Sequence, residues 1–280
     1  MPNTPEDRGE AGFALLSVIG AMGIIAVVMT GFIAAARYRA IEAFSVSQRA
    51  RAETMSDAAV NATILKLLGL LSQGGFGSER FGLAALSGSC GFADGSSLRV
   101  GVTHESGKVD LNTAQAELVT ALVRGVVPDG RHRAIVRDIL VLRGAKATTK
   151  PRAAFESALQ IGQVLGIDRR LSALLLPLVT VHSGSPGLNA RMASAELLTV
   201  VSGQSDAAGA QRRNAAFFLA DVPGPMVQIA AEAQTGLGVR YARTAIVEFL
   251  LERPVSYRIR EWREATPSQG PSPSRNGPSC

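Results

Sequence analysis

Between Ala11 and Ala36 the chain carries no charged residue, and from Phe13 onward the run is almost wholly apolar. Phe13 to Ala36 as a helix is about 36 Å long, enough to cross the hydrocarbon core of a bilayer. Beyond it, apolar positions recur near a spacing of 3 and 4: Ile41, Phe44, Ala52, Met55, Ala59, Ala62 and Leu65 or Lys66. No proline interrupts 13–71, although Gly20, Gly23 and Gly31 soften the first part. The pattern predicts one helix of about 88 Å, a membrane span continued by an amphipathic half.

The pattern then changes. Leu98, Val100 and Val102 alternate with polar or small residues and predict a strand, followed by a turn at Ser106-Gly107. Asn112, with Gln115 three residues on, reads as the N-cap of a helix in a capping-box arrangement. Leu118, Leu122, Ile135, Ile139 and Leu142 supply apolar faces for two or more helices. A weaker copy of one phrase lies 79 residues later. VDLNTAQAELVT (109–120) aligns with LNARMASAELLT (188–199), so that Asp110 matches Asn189, Ala114 matches Ala193, and Ala116-Glu117-Leu118 matches Ala195-Glu196-Leu197. Arg191-Met192 replaces Asn112-Thr113, so the second copy is expected to lose its capping box. The pair reads as two related helical units of one α-domain.

From 226 the period shortens again. MVQIAAEAQT, RYARTAIVEFLL and PVSYRIREW predict three antiparallel strands, turned at Thr235–Gly238 and broken at Arg253-Pro254. Val255, Tyr257 and Ile259 alternate with Ser256, Arg258 and Arg260, which gives the meander one polar face and one that a long helix can cover. Residues 265–280, rich in Pro, Ser and Gly, read as a disordered tail.

Apolar residues make up 46% of the 280, but aromatics only 5%, so the core must rest on Ala, Val, Leu and Ile. The net charge of +6 sits on scattered arginines. Such a charge suits anionic partners, either nucleic acid or lipid head groups. With three tyrosines and one tryptophan, the chain is a poor platform for single strands. A helix-hairpin-helix module is the specific nucleic-acid alternative. LVRGVVPDGRHRAIVRDILVLRG has the arginines for it in Arg131, Arg133 and Arg137, and VLGIDRRLSALLLPLV is a second candidate. Each has one hairpin glycine where two are needed, and Pro128 removes an N–H donor, so helices packed through short turns are the better reading.

Cys90 and Cys280 form neither a CxxC motif nor a metal-ligand spacing. Two states stand open: a free Cys90, the plainer one, or a Cys90–Cys280 disulfide in an oxidising compartment. His104, His132 and His182 fall in different predicted elements and read as surface or turn residues rather than ligands. Asp94, Asp206 and Asp221 lie in loop-like stretches without the dense spacing of a calcium loop. No nucleophile elbow, phosphate-binding loop, zinc-protease or dinucleotide motif occurs, and nothing argues for an enzyme.

The leader is acidic, with Glu6, Asp7 and Glu10 against Arg8, and the apolar run is longer than that of a cleaved secretory signal. Ala34-Ala35-Ala36 nonetheless imitates a small-residue cleavage site. Arg37, Arg39, Arg49 and Arg51 follow the span, and the charge bias alone would place the C-terminal side in the cytoplasm.

Taken in order, Gly12-Phe13 before the apolar helix, a strand, GKVDLNTA, a helical insert, LLPLVTVHSGSPGLN with ASAELL, and a meander ending YRIREWRE resemble the minor pseudopilin K family of the type II secretion system (general secretion pathway protein K) over roughly residues 9–264. The resemblance implies an α+β fold: a pilin-like long N-terminal helix packed on an antiparallel sheet, with a large inserted α-helical domain. It divides the chain into a prepilin leader (1–12), a transmembrane and spine helix (13–71), a pilin-like segment with the first strand (72–109), the insert (110–225), the C-terminal strands (226–264) and the tail (265–280). It implies cleavage by the prepilin peptidase between Gly12 and Phe13, N-methylation of Phe13, and a single span in the inner membrane with the globular part in the periplasm, against the charge bias. The implied partners are the minor pseudopilins I and J and the pseudopilus, with no nucleic acid. The implied role is structural, nucleating and capping the pseudopilus tip. The alternatives are a membrane-tethered helix-hairpin-helix DNA-binding protein and a minor pilin of a type IV pilus. Calcium occurs in some members, with no ligand set transferable to this chain. The leader is less basic than prepilin leaders usually are.

Most pilin-like subunits carry glutamate at the fifth mature position; here it is Ser17, and the K family likewise lacks the acid. A carboxylate within a membrane is costly unless paired. In an ordinary subunit it can meet the N-terminal ammonium of a preceding neighbour. A subunit that starts the filament has no such neighbour, which gives Ser17 an assembly role; the plainer reading is a tolerated small residue in an anchor.

Overall fold

The computed structural model describes residues 8–74, 87–127, 130–145, 155–218, 224–250 and 256–267; of residues 8–14, 73, 74 and 145 it describes the backbone alone. Pro128, Asp221, Arg253, Pro254, Val255 and Cys280, which bear expectations above, lie outside these ranges. The chain divides into two compact units between Arg51 and Ala52.

The first unit is the leading part of helix α1, which runs from Arg8 to Gly74 without a break. Its apolar side chains are bare: Leu16, Met22, Val27 and Phe32 are all exposed. A window here reaches a mean hydropathy of 2.4, long and apolar enough to cross a membrane. Ile41 and Phe44, expected on an inward face, are exposed as well.

The second unit holds the end of α1 and five antiparallel strands in the order β1-β2-β5-β6-β7, with β1 Gly88–Gly91, β2 Ser97–His104, β5 Met226–Gln234, β6 Arg240–Leu250 and β7 Ser256–Ala265. Four-residue β1, of sequence GSCG, has too little alternation to be read from the chain. Ala265 is paired with Ala242, so it closes β7 rather than opening a tail.

The end of α1 covers one face of this sheet. Its inward positions are Ala52, Ser56, Ala59, Val60, Thr63, Ile64, Leu67 and Leu71. Of the expected stripe Ala52 and Ala59 do face inward, whereas Ala62, Leu65 and Lys66 are exposed, and small Ser56 and Thr63 occupy the seam instead. Both are accommodated by hydrogen bonds, Ser56 Oγ donating to Tyr241 O and Thr63 Oγ1 to Ala59 O. Hydrophobicity alone misassigns such a stripe, because a bonded hydroxyl can be buried where an apolar residue stays outside. Ile64 and Leu67 join Val102, Val227, Ile229, Ala245, Val247 and Phe249 in this core. On β7 the apolar face is only partly covered: Trp262 packs on the core, whereas Tyr257 and Ile259 are exposed. A register shift between Ile246 and Val247 sets the two halves of β7 off from each other.

Strands β2 and β5 are hydrogen-bonded neighbours from Ser97↔Gln234 to His104↔Val227, yet over a hundred residues separate them in sequence. Everything between is an insertion in the sheet. Among the described residues it contains β3 Val109–Asp110, α2 Ala116–Val126, α3 His132–Ala145, α4 Arg169–Leu175, β4 Val179–Thr180, α5 Ala195–Ser202, α6 Ala207–Arg213 and four short 3-10 turns. A second core fills it, built on Leu111, Leu118, Leu122, Ile135, Ile139, Leu175, Leu178, Leu188 and Leu197. Leu142, expected on the inner face of α3, is exposed.

Candidate functional site

The phrases GKVDLNTA, VTVHSG and REWRE, far apart in sequence, meet where the insert joins the sheet. Strand β3 pairs in parallel with β4, Val109 beside Val179 and Asp110 beside Thr180, and Leu111 N–H continues the ladder to Thr180 O. Each residue of 110–113 has a separate task. Asp110, 2% exposed, accepts at Oδ1 from the N–H groups of Asn112 and Thr113 and at Oδ2 from Ser183 Oγ and Gly184 N–H. Leu111 fills the insert core. Asn112 clasps the backbone of Phe155, its Oδ1 accepting from the N–H and its Nδ2 donating to the carbonyl, both at 2.9 Å. Thr113 Oγ1 donates to Ser185 O.

Asn112 is therefore not an N-cap. Helix α2 starts at Ala116, with Gln115 at its N-cap making no side-chain cap. The aligned copy is the capped one: Ser194 accepts from Leu197 N–H at the start of α5. The turn before it survives the Arg191-Met192 change, because Asn189 Oδ1 takes the N–H of Arg191 as Asp110 takes that of Asn112. Ala193 N–H bonds to Asn189 O and Ala114 N–H to Asp110 O, so the two copies share one backbone form. They also touch: a Cβ on Gly107 would stand 2.2 Å from Met192 O, and one on Gly125 2.7 Å from Val200 O.

A buried polar group ties the insert to β5. Glu105, 1% exposed, accepts from Lys108 Nζ at 2.6 Å and from Thr180 Oγ1, and Lys108 Nζ also donates to Gln228 Oε1 at 2.7 Å. A second tie reaches β7. Glu261 faces His182 Nε2 at 3.4 Å, accepts from Ser157 Oγ at 3.2 Å and lies 2.8 Å from Arg263 Nε. The His182 hydrogen bond, Arg263 and Ser157 together hold the Glu261 carboxyl below its ordinary range, against its burial. His182 thus has a partner in the fold, and His104 corrects the surface expectation outright: it is 4% exposed at the end of β2. Burial lowers its pKa to about 4, against opposing hydrogen bonds with the backbone of Met226 and Gly224 and the charge of Glu105.

On the other face of the sheet Arg243 fastens α1. Its Nε donates to Asp57 Oδ1 at 2.6 Å and its NH2 to Glu53 Oε1 at 2.7 Å, and the guanidinium lies 5.0 Å from the Tyr241 ring centre and 5.5 Å from that of Trp262. Burial disfavours the charge, but Asp57, Tyr241 and Glu53 outweigh it and raise the pKa. Burial also raises that of Tyr241.

Of the expected assembly and processing residues, Gly12 and Phe13 lie within α1 with only their backbone described, and Ser17 is exposed on it. Among the described residues no group of three His, Cys, Asp or Glu is placed to hold a metal ion. Asp94 instead binds the backbone and hydroxyl of Ser96, and Asp206 caps α6 through Gly209 N–H. The free-thiol reading of Cys90 is overturned: Cys90 is disulfide-bonded.

A long N-terminal helix, an antiparallel sheet and a helical domain inserted between two neighbouring strands define a pseudopilin-like α+β fold. The chain is similar in fold to one chain in the crystal structure of the GspK–GspI–GspJ complex from the enterotoxigenic Escherichia coli type 2 secretion system, with a TM-score of 0.56 and 14% identity over 81% of this chain and 100% of that one. No family model matches the chain, and no curated protein does.

Proposed function

We propose that this chain is a minor pseudopilin of a type II secretion system, a structural subunit that nucleates and caps the pseudopilus tip rather than an enzyme. The observation that carries this is the insertion of a whole helical core between hydrogen-bonded β2 and β5 behind a bare apolar helix. A pilin-like subunit stacks through its N-terminal helix. One that also carries a bulky insert can pack with neighbours below and leaves no room for a subunit above. Counterparts of pseudopilins I and J are the partners below; nucleic acid is not a partner.

In this reading residues 1–12 are the leader removed by the prepilin peptidase, Phe13 is the methylated mature N-terminus, and 13–71 first spans the inner membrane and then enters the filament. Residues 72–104 and 226–265 form the periplasmic pilin-like part, 105–225 the insert and 266–280 the final segment. Ser17 at mature position five leaves no carboxylate in the apolar run without a preceding ammonium.

Mass spectrometry of the chain recovered from membranes tests the reading. A mature form beginning at N-methylated Phe13 is expected. A chain beginning at Met1 or at Arg37 would sink it.

A further inference from the structure

Helices α2 and α3 leave a hollow of about 460 Å³ between them on the surface of the insert. Its lower wall is Val136, Leu140 and Thr120, with Val136 buried and Leu140 packed on the insert core. Thr120 donates its hydroxyl to Ala116 O at 2.7 Å, so that donor is already used. Val141 continues the apolar surface outward at 59% exposure. The rim carries Arg133 and Arg137, both exposed and one helical turn apart on α3. Arg137 Nε lies 3.4 Å from Asp138 Oδ1, yet the Arg137 side chain stays 72% exposed. Among the described residues no carboxylate lines the hollow.

Two exposed arginines at this spacing take either phosphate or carboxylate oxygens. The apolar wall separates the candidates. A nucleic-acid backbone brings phosphates and sugars, with nothing to bury against valine and leucine. A bilayer surface brings head groups but keeps its tails inside, out of reach of a hollow. A protein segment alone carries carboxylates and a large apolar side chain next to each other. The volume falls in the range of clefts that hold such side chains. From Arg133 to Val141 the α3 backbone rises about 12 Å, which matches about two turns of a partner helix.

We propose that the α2–α3 hollow docks an acidic amphipathic helix of a partner protein. Carboxylates one turn apart on that helix meet Arg133 and Arg137, and an apolar side chain between them lies on Val136, Leu140 and Val141. The two parts divide the work. Apolar burial supplies affinity, and the arginines select an acidic partner and orient it. Neither part is explained by the fold: the insert core closes beneath Val136, and the arginine pair stands outside it. The arginines that gave this stretch its likeness to a nucleic-acid module thus serve a protein partner. The site is the same whether or not the chain begins at Phe13, because every group in it belongs to the insert.

The test uses the full chain in neutral detergent and a fluorescein-labelled helical peptide that carries leucines between glutamates one turn apart. Fluorescence polarisation, corrected for empty micelles, is expected to show saturable binding. Binding should weaken about tenfold when glutamine replaces the glutamates, and about tenfold in the Arg133→Gln, Arg137→Gln double variant. Val141→Ser should weaken it as well, and Arg137→Glu should improve binding of the same peptide with lysines in place of glutamates. No saturable binding up to about 1 mM, equal affinity for the glutamine peptide, or binding untouched by the arginine changes would overturn the proposal. So would duplex DNA or phosphatidylglycerol vesicles that bind through these arginines more tightly than the peptide. All the substituted side chains are exposed, and unchanged thermal melting shows that the variants are folded.

Discussion

Asp110 Oδ2 accepts the backbone N–H of Gly184 at 2.8 Å, across 74 residues of sequence. The carboxylate is almost fully buried, and its four hydrogen bonds hold two loops of the insert in one position. Asp110→Ala leaves those donors without acceptors and is expected to cost about 3 kcal/mol. Asp110→Asn keeps one oxygen but sets an amide against Gly184 N–H, for a smaller loss. Denaturant unfolding of both variants in detergent checks the order.

Gly107 is required by proximity rather than by its backbone angle. An alanine methyl would enter the carbonyl of Met192, a residue whose N–H is fixed in a turn on Asn189 O. Gly107→Ala is expected to destabilise by about 3 kcal/mol, the upper end for overpacking, because backbone rather than a side chain must move. Limited proteolysis should show the insert cut while the sheet survives.

Arg243 is a fork rather than a point charge in this fold. Arg243→Lys keeps the charge and loses the two-pronged contact with Asp57 and Glu53 and the ring contacts, an expected cost of about 1–2 kcal/mol. Trp262, the one tryptophan of the chain, lies beside Arg243, so its emission should shift even where the fold is kept. An unchanged spectrum and melting point would show the clamp to be idle.

His104 makes stability depend on pH. Its folded pKa, about 4, lies below the unfolded value of 6.5. Between these values the unfolded chain binds the extra proton, so stability is highest above pH 6.5 and falls as pH drops toward 4, by about 3 kcal/mol at most. The depressed Glu261 carboxyl adds loss in the same direction at lower pH. His104→Phe should flatten the fall between pH 6.5 and 4.5 in denaturant titrations.

What the chain states locally came through in its sequence: the apolar run, the alternation of β2, β5 and β6, and the glycine-rich hairpin. These depend on spacing, and spacing is written in the sequence. The resemblance carried by DLNTA, VTVHSG and WRE pointed to a pseudopilin-like fold, and the fold agrees. Tertiary structure alone decided which face of α1 turns inward, since Ser56 and Thr63 are buried through bonds to distant or preceding carbonyls. It gave Asn112 to Phe155 instead of to a helix start, and it buried His104. It also closed Cys90 in a disulfide. Apart from the bond of Thr63 to Ala59, each of these depends on a group far along the chain, and a residue's neighbours in space are not legible from its neighbours in sequence.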